Sequence, residues 1–129
     1  MATYLLDTSV IIDVLNGRGN RRELLEKLLQ GGNLLACCSI NVAEIYAGVR
    51  PKEELLTQFF LKSLDYLEIS WEIARSGGSF KRDYARKGIT LTLADALIAA
   101  AAIHHGCSLI TDNVKDFPMK ELNIYSLLG

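Results

Sequence analysis

The sequence predicts an α/β domain in which a mainly parallel sheet is flanked by helices. Short apolar runs, typical of buried strands, alternate with longer segments whose apolar residues recur at helical spacing. The first run, Tyr4 to Leu6, ends at an acid and is followed by a second apolar run, Val10 to Ile12, at helical spacing. Glycine and asparagine clusters separate the segments, and the sequence shows no internal repeat, low-complexity tract or linker.

Size and composition are those of one globular domain over residues 1–129. Half of the residues are apolar and 22% are charged, which excludes a disordered chain. The net charge of -1 argues against a protein that coats nucleic acid by charge alone, but not against a nuclease that uses a metal ion. No apolar segment reaches ~18 residues and no basic region opens the chain, so we expect neither a membrane span nor a signal peptide, and a cytoplasmic location.

The three cysteines are predicted to be free, buried thiols. Cys37, Cys38 and Cys107 are odd in number and form no CxxC pair. A zinc site would need more ligands than these cysteines and the adjacent His104 and His105 supply. The two histidines are better explained as the end of a helix, where positive charge suits the dipole.

In the first half of the chain, the strand that ends at Leu6 is predicted to lead into a short helix with Thr8 as its N-cap. The next predicted elements are a helix over 21–30, a strand over 34–39, a helix capped by Ser39 or Asn41 that closes before Pro51, and a helix over 52–63.

In the second half, a third short strand is predicted around Leu67 and Ile69. A helix follows over 71–87, in which Gly77 and Gly78 are expected to weaken or kink the helix by up to ~1 kcal/mol each. The segment over 92–105 is the most apolar helix of the sequence. Strands are predicted over 108–111 and 124–127.

Acidic residues fall near the ends of these elements, and most have a simple structural explanation. Asp7 follows a central strand, at the sheet edge where ligands bind in α/β proteins, but it can also cap a helix. Asp95 lies three residues after Thr92 in the pattern of a capping box. Asp112 and Asp116 follow the fourth strand, where such residues usually form a turn.

Two of the acids are less easily explained in this way. Glu44 lies nearly opposite the apolar face of its helix, beside Ala43, Ala47 and Gly48, where a solvated face would more often carry long polar side chains. Small residues around one acid therefore indicate a pocket. Asp95 belongs to the first turn of a buried helix, where a carboxylate needs a partner or a metal ion.

If these carboxylates converge, the chemistry of the site follows. Three or four carboxylates in one place cannot all stay ionised without a cation between them. Mg²⁺ prefers oxygen ligands, keeps several waters and takes one or two carboxylates together with substrate phosphate. Such a site can activate water for in-line attack at phosphorus, and it needs no His, Cys or Lys.

Four blocks carry the acids: Leu5–Asp13, Asn41–Ile45, Leu93–Ala100 and Ile110–Phe117. In this order and at these separations they resemble the signature blocks of PIN domains, most closely those of VapC-like toxins of prokaryotic toxin–antitoxin pairs. The resemblance implies a three-layer α/β/α domain and a Mg²⁺- or Mn²⁺-dependent endoribonuclease acting on RNA. It also implies a homodimer that a cognate VapB-like antitoxin inhibits.

Matched by position, Asp7, Glu44 and Asp95 correspond to the three central acids of the family. The resemblance implies that Asp7 and Asp95 are the direct metal ligands and that Glu44 holds a water molecule of the ion. Family members often have Thr-x-Asp or Thr-x-Asn and then an acidic or polar residue before Phe. Because Asn113 fills the third position here, the role of fourth acid passes to Asp116 or to Asp112.

Other polar residues are predicted to assist the acids or to have no role in the site. The hydroxyl groups of Thr8, Ser9 and Thr111 are candidates to support the acids, and Asp13 is expected to be exposed. Two basic groups either are solvated faces or form a track for the RNA backbone. One comprises Arg75, Arg82 and Arg86 with Lys81 and Lys87, and the other comprises Arg18, Arg21 and Arg22.

Two other functions are compatible with the sequence. One is a PIN nuclease of RNA processing or decay without an antitoxin, although a short chain with no added RNA-binding domain favours the toxin. The other is a non-nuclease, phosphate-binding α/β module in which Asp7 receives or coordinates a phosphoryl group. That module would need a lysine beyond a late strand, for which Lys115 is the near candidate, and it would leave Glu44 without a role.

Overall fold

A computed structural model describes residues 1–127 of the chain. Within these residues five strands form a single sheet in which every neighbouring pair is parallel, so the predicted parallel sheet is confirmed. Their spatial order is β3-β2-β1-β4-β5, which places β1 at the centre. The strands are β1 (Thr3–Leu6), β2 (Leu34–Cys38), β3 (Asp65–Leu67), β4 (Ser108–Thr111) and β5 (Ile124–Ser126).

Helices connect the strands as the sequence predicts. Single turns of 3-10 helix lie at Pro51–Glu53 and Val114–Asp116. The α-helices of the described residues are α1 (Thr8–Leu15), α2 (Arg21–Gln30), α3 (Ser39–Gly48), α4 (Glu54–Lys62), α5 (Trp71–Ala85) and α6 (Leu93–His104).

The helices cover both faces of the sheet, which makes the three-layer arrangement. Successive strand residues point to opposite faces, so Leu5 and Leu109 belong to one core and Leu6 and Ile110 to the other. The first core is closed by α5 and α6, and the second by α1 to α4. Burial on both faces explains why the strands read as continuous apolar runs rather than as alternating ones.

The predicted apolar helix, α6, is the buried centre of its layer. Residues 98–102 and Ala96 have no solvent exposure. Helix α5 packs directly on it, because a Cβ atom at Gly77 would come within 2.6 Å of Leu97 Cδ2. The expected kink is absent, since α5 is one helix through Gly77 and Gly78. The close approach of two helices explains Gly77, whereas Gly78 is exposed with open space around it.

Several predicted boundaries are wrong by a few residues. The third strand lies at Asp65–Leu67, ahead of Ile69, because it pairs with residues 36–38 of β2. Strand β2 ends at Cys38, and α5 ends two residues before Lys87. The predicted helix over 52–63 is divided into a 3-10 turn that begins at Pro51 and helix α4.

The cysteines are free and buried, as predicted. Burial, with a smaller effect from the neighbouring Cys38, raises the pKa of the Cys37 thiol to about 11, so it stays protonated at neutral pH. Over residues 1–127, no helix is long and apolar enough to cross a membrane.

Candidate active site

Asp7 lies at the carboxyl end of the central strand and is only 5% exposed. One carboxylate oxygen, Oδ1, accepts a hydrogen bond from the backbone N–H of Thr8 at 2.8 Å. The other, Oδ2, accepts from the hydroxyl of Thr111 at 2.7 Å and from that of Ser9 at 3.4 Å. Asp7 is therefore the N-cap of α1, and the prediction that Thr8 fills this position is wrong. Thr8 is the first helical residue instead, which turns its hydroxyl toward another acid.

Burial raises the pKa of Asp7 above its ordinary value, although the three hydrogen bonds oppose the rise. The nearby charge of Asp112 adds a smaller effect in the same direction as burial. A carboxylate that is costly to ionise and is held in one orientation is suited to bind a cation.

Glu44 is held by a hydrogen-bond chain that begins in the sheet. The hydroxyl of Thr8 donates to Glu44 Oε1 at 2.7 Å, and Asn41 Nδ2 donates to Thr8 Oγ1 at 2.9 Å. Asn41 Oδ1 in turn accepts from the backbone N–H of Cys38 at 2.8 Å. The helix begins after Cys38, so the predicted caps Ser39 and Asn41 lie inside α3, although the Asn41 amide does satisfy the N–H at the helix start.

Asp95 serves its helix and also faces other carboxylates. Thr92 Oγ1 accepts from the backbone N–H of Asp95 at 3.0 Å, so the predicted capping interaction is present. The half-buried side chain nevertheless has a raised pKa, first because of burial and then because of the negative charges of Asp7, Asp116 and Glu44. Acids from four separate chain segments thus lie within electrostatic reach of one another.

Ser9 and Asn113 join the remaining acid of the fourth block to this cluster. Ser9 Oγ lies 3.3 Å from Asp112 Oδ1, and Asn113 Nδ2 donates to Ser9 Oγ at 3.4 Å. The backbone N–H of Asn113 donates to Thr111 Oγ1 at 2.9 Å, which leaves the Thr111 hydroxyl proton for Asp7. All three hydroxyl groups singled out in the sequence therefore contact site carboxylates.

Arg21 enters the acidic cluster, which the sequence did not reveal. Its Nη2 lies 3.3 Å from Asp112 Oδ2, and its Nε lies 3.6 Å from Asp13 Oδ2. Among residues 1–127 the buried Nε atom has no hydrogen-bond partner, and its polar contact is the ion pair with Asp13. Asp13 is half-buried beside this arginine, and the expectation that it is exposed is wrong. Of the two alternatives left open for Arg21, the solvated face does not apply, since its side chain is only 20% exposed.

The backbone conformation of the loop before α2 determines where the Arg21 side chain lies. Gly19 and Asn20 both have left-handed backbone angles, with φ of 64° and 55°. A Cβ atom at Gly19 would lie 3.4 Å from Arg21 Cζ, so the guanidinium packs against the bare glycine. Asparagine adopts this left-handed conformation readily, whereas an arginine in the first turn of a helix is unfavourable for the helix dipole.

The other basic group lies along α5, whose end approaches the acids. Tyr84 OH donates to the carbonyl of Pro118 at 3.2 Å, so this end of α5 adjoins the segment that carries Asp116. Lys81 donates to the carbonyl of Leu91 at 2.6 Å, and Arg82 pairs with Asp83 at 3.0 Å. Arg86 is exposed just beyond the helix.

The pocket expected beside Glu44 is an open groove of about 490 Å³ between α1, α3 and α4. Glu44 and Gly48 line it together. Helix α4 borders the groove and carries three large apolar side chains that are 73–78% exposed, Leu55, Leu56 and Phe59.

The carboxylate and hydroxyl oxygen atoms of the site are ligands that a hard cation prefers. The carboxylates, however, do not converge on a single point where an ion would bind. Within residues 1–127, no group of three His, Cys, Asp or Glu side chains is arranged to hold an ion as it stands. Mg²⁺ retains several waters and takes one or two carboxylates, so it does not require a complete protein cage.

The chain is similar to proteins of one known family over most of its length. A family model described as PIN domain matches residues 4–119. Ribonuclease VapC19 of Mycobacterium tuberculosis is 34% identical over 115 residues, which cover 89% of this chain and 92% of that protein. Ribonuclease VapC2 of Haemophilus influenzae is 30% identical over 122 residues, which cover 91% of each chain.

Solved structures give the same picture of the fold. A toxin–antitoxin complex from Klebsiella pneumoniae contains a chain with a TM-score of 0.78 and 29% identity, covering 96% of this chain and 99% of that one. The VapBC2 complex of Rickettsia felis, bound to a DNA fragment from its promoter, contains a chain with a TM-score of 0.83 and 24% identity, covering 96% and 98%.

Proposed function

Because the chain belongs to the PIN domain family, we propose that it is a Mg²⁺- or Mn²⁺-dependent endoribonuclease that acts as the toxin of a toxin–antitoxin pair. The observation that carries the proposal is that Thr8 bonds both Asp7 and Glu44 at the carboxyl edge of the sheet, close enough to Asp95 for these two acids and Asp116 to raise its pKa. The relatives named as ribonucleases cover nearly the whole chain, which favours RNA as the substrate.

The residues fit a divalent cation. Asp7 and Asp95 are the carboxylates with raised pKa values, so an ion between them would relieve both the burial cost and the repulsion. We assign them as the metal ligands, with Glu44 orienting water beside the ion. When bound, the ion supplies Lewis-acid activation of the phosphate and of the attacking water.

The chain's own residues orient and confine this chemistry. Thr111 and Ser9 fix the Asp7 carboxylate, and Thr8 fixes Glu44. A water molecule that donates a hydrogen bond to Glu44 would present its lone pair to the scissile phosphorus and pass its proton to the Glu44 carboxylate as the new P–O bond forms. The P–O bond to the leaving oxygen would break, that oxygen would take a proton from solvent, and Glu44 would return its proton to solvent. Positioning of this kind supplies a large part of the rate gain in phosphodiester cleavage.

We assign the fourth acid to Asp116 rather than to Asp112. Each acts on the pKa of one proposed ligand, Asp112 on Asp7 and Asp116 on Asp95. Asp112, however, is already paired with Arg21 and shares the Ser9 hydroxyl with Asp7. In this arrangement Arg21 balances the charge of Asp112 and Asp13.

We propose an antitoxin protein as the binding partner, on the basis of the solved relatives and of the exposed apolar surface of α4. Solved relatives are toxin–antitoxin complexes, and Leu56 of α4 lines the groove that leads to Glu44, while the exposed Leu55 and Phe59 line a separate depression on the same helix. A VapB-like protein bound along this groove would cover the apolar surface and block the acids together. The family resemblance also implies a homodimer and, since the substrate is cellular RNA, action in the cytoplasm.

The alternatives have less support. A PIN nuclease of RNA processing without an antitoxin would leave the apolar face of α4 unexplained. A phosphate-binding module in which Asp7 receives or coordinates a phosphoryl group would need a lysine beside it, and the near candidate, Lys115, is exposed in the 3-10 turn after β4. Such a module also gives no reason for the chain of hydrogen bonds that ends at Glu44.

Incubation of the purified chain with total RNA tests the proposal. We expect cleavage with Mg²⁺ or Mn²⁺, none in chelator, and none by Asp7→Asn with either metal. Expression of the free chain should slow growth, and Asp7→Asn should abolish that effect. A folded Asp7→Asn variant that cleaves RNA or remains fully toxic would contradict the assignment of the site.

A further inference from the structure

We propose that Asn41 is a positioning residue that sets the direction of the hydrogen bond from Thr8 to Glu44 and thereby holds the Glu44 carboxylate in place. The proposal rests on the function proposed above, because it treats Glu44 as a working acid of the site. Neither the sequence pattern nor the comparisons assign this asparagine a role beyond the start of α3.

The polarity of the chain of hydrogen bonds follows from its first donor. The backbone N–H of Cys38 can only donate, so the atom of Asn41 that faces it at 2.8 Å is the carbonyl oxygen Oδ1. The amino group of Asn41 must then face Thr8, 2.9 Å away. Thr8 accepts that bond, and its single hydroxyl proton is directed to Glu44 Oε1 at 2.7 Å. The chain transmits a fixed orientation from the sheet to the carboxylate.

Burial shows why an asparagine suits this position. Asn41 has no solvent exposure, Thr8 is half-buried, and Glu44 is exposed. A glutamate on an open helix face samples many rotamers, and a donor fixed by a buried, satisfied amide limits that freedom. Asparagine offers an acceptor and a donor on one short, planar group, which a leucine or an ionised aspartate at this site would not offer together.

Three substitutions separate the positioning role from the structural one. Asn41→Asp keeps the acceptor for Cys38 and replaces the donor to Thr8 by a second acceptor. Thr8→Val removes the hydroxyl, while Thr8→Ser, the matched control, keeps it. Loss of such supporting partners typically costs about 10- to 100-fold in activity. We expect Asn41→Asp and Thr8→Val to lower kcat by about that factor with little change in KM, and Thr8→Ser to restore most of kcat.

A second measurement does not depend on activity or on metal. Urea unfolding in chelator is compared for Thr8→Val, Glu44→Gln and the double variant. If Thr8 bonds Glu44, the two substitutions affect the same interaction and their effects on the unfolding midpoint will not add. The same comparison with Asn41→Asp in place of Thr8→Val tests whether the amide acts through Thr8.

The outcomes are distinct. Thr8→Val with the kcat of Thr8→Ser, or strictly additive unfolding effects, would overturn the positioning role. The two Thr8 variants decide this even if Asn41→Asp does not fold. If the wild-type chain does not cleave RNA with either metal, the proposed function fails, while the unfolding comparison still decides whether the hydrogen-bond chain exists.

Discussion

Asp7 is a buried carboxylate that caps a helix and at the same time faces other acids. Its hydrogen bonds to Thr8, Ser9 and Thr111 favour the ionised form, but burial outweighs them and its pKa is raised. A group with a raised pKa in the folded state adds stability at low pH and loses it as the pH rises through that pKa. Without metal, therefore, ionised Asp7 weakens the fold at neutral pH.

This predicts a pH-dependent effect of Asp7→Asn on metal-free stability. Asparagine is also a good N-cap, so the helix should persist. The free energy of unfolding of the variant should increase relative to wild type as the pH rises from about 4 toward 7, because the wild type must ionise a buried acid. Urea unfolding in chelator across this pH range measures the difference. A difference that stays constant with pH would show that Asp7 keeps an ordinary pKa.

At the scale of the elements, the packing of α5 against α6 determines where Asp95 lies. Gly77 leaves room for Leu97 two residues beyond Asp95, and a Cβ atom at Gly77 would lie 3.1 Å from Leu97 Cα as well as against its side chain. Backbone atoms cannot rotate away, so a larger residue must push the helices apart.

Alanine substitution at the two neighbouring glycines of α5 is therefore expected to have opposite effects on stability. Gly77→Ala should destabilise the fold by about 1–3 kcal/mol and reduce cleavage by displacing Asp95. Gly78→Ala, with open space around it in the same helix, should stabilise the fold by about 0.5–1 kcal/mol and leave cleavage unchanged. Chemical denaturation of both variants makes the comparison. Equal effects of the two substitutions would contradict the close packing of the helices.

The strands, the helices and the acids were predictable from the sequence because their signals are local. Apolar periodicity identified α6, and the first three signature blocks identified Asp7, Glu44 and Asp95. The contacts of Arg21 and Asn41 were not predictable. Arg21 meets Asp112 across 91 positions and Asn41 meets Thr8 across 33, and no local pattern shows that such residues face each other. The N-cap was misassigned because Asp7 and Thr8 are both good caps.

Over the whole molecule the net charge is only -1, but the acidic and basic residues are unevenly distributed. Acids gather at the carboxyl edge of the sheet, and the basic end of α5 lies beside them, where Tyr84 contacts Pro118. An RNA strand whose phosphate reaches the acids can therefore lay its backbone along this end of α5, where Arg86 is exposed and Arg82 is partly neutralised by Asp83.

This arrangement predicts that Arg86 binds the RNA backbone without regard to base sequence. Charge reversal, Arg86→Glu, made in an Asp7→Asn chain to prevent cleavage, should weaken binding of single-stranded RNA for all sequences tested. It should also reduce the slope of log affinity against log salt by about 0.7 for each RNA phosphate that Arg86 neutralises. Lys27→Glu, an equal change of charge on exposed α2, is the control. An unchanged salt slope would make Arg86 an ordinary solvated residue.

The metal site is tested most directly at Asp95, by melting temperature across a Mn²⁺ or Mg²⁺ titration beside an RNA-cleavage assay. Wild type should gain stability with metal, by about 2.7 kcal/mol at 100 times Kd, because the ion binds the folded state. In chelator Asp95→Asn should be as stable as wild type or more so, since repulsion is relieved. It should lose both cleavage and most of the gain with metal, whereas the control Asp65→Asn, at an exposed acid of β3, should keep both.

If Asp95 only serves its helix, the same measurement gives a different result. Asp95→Asn should then cost about 0.3–1 kcal/mol in chelator through the lost interaction with the helix dipole. An active Asp95→Asn chain whose melting temperature climbs with metal as the wild type's does would contradict the metal site.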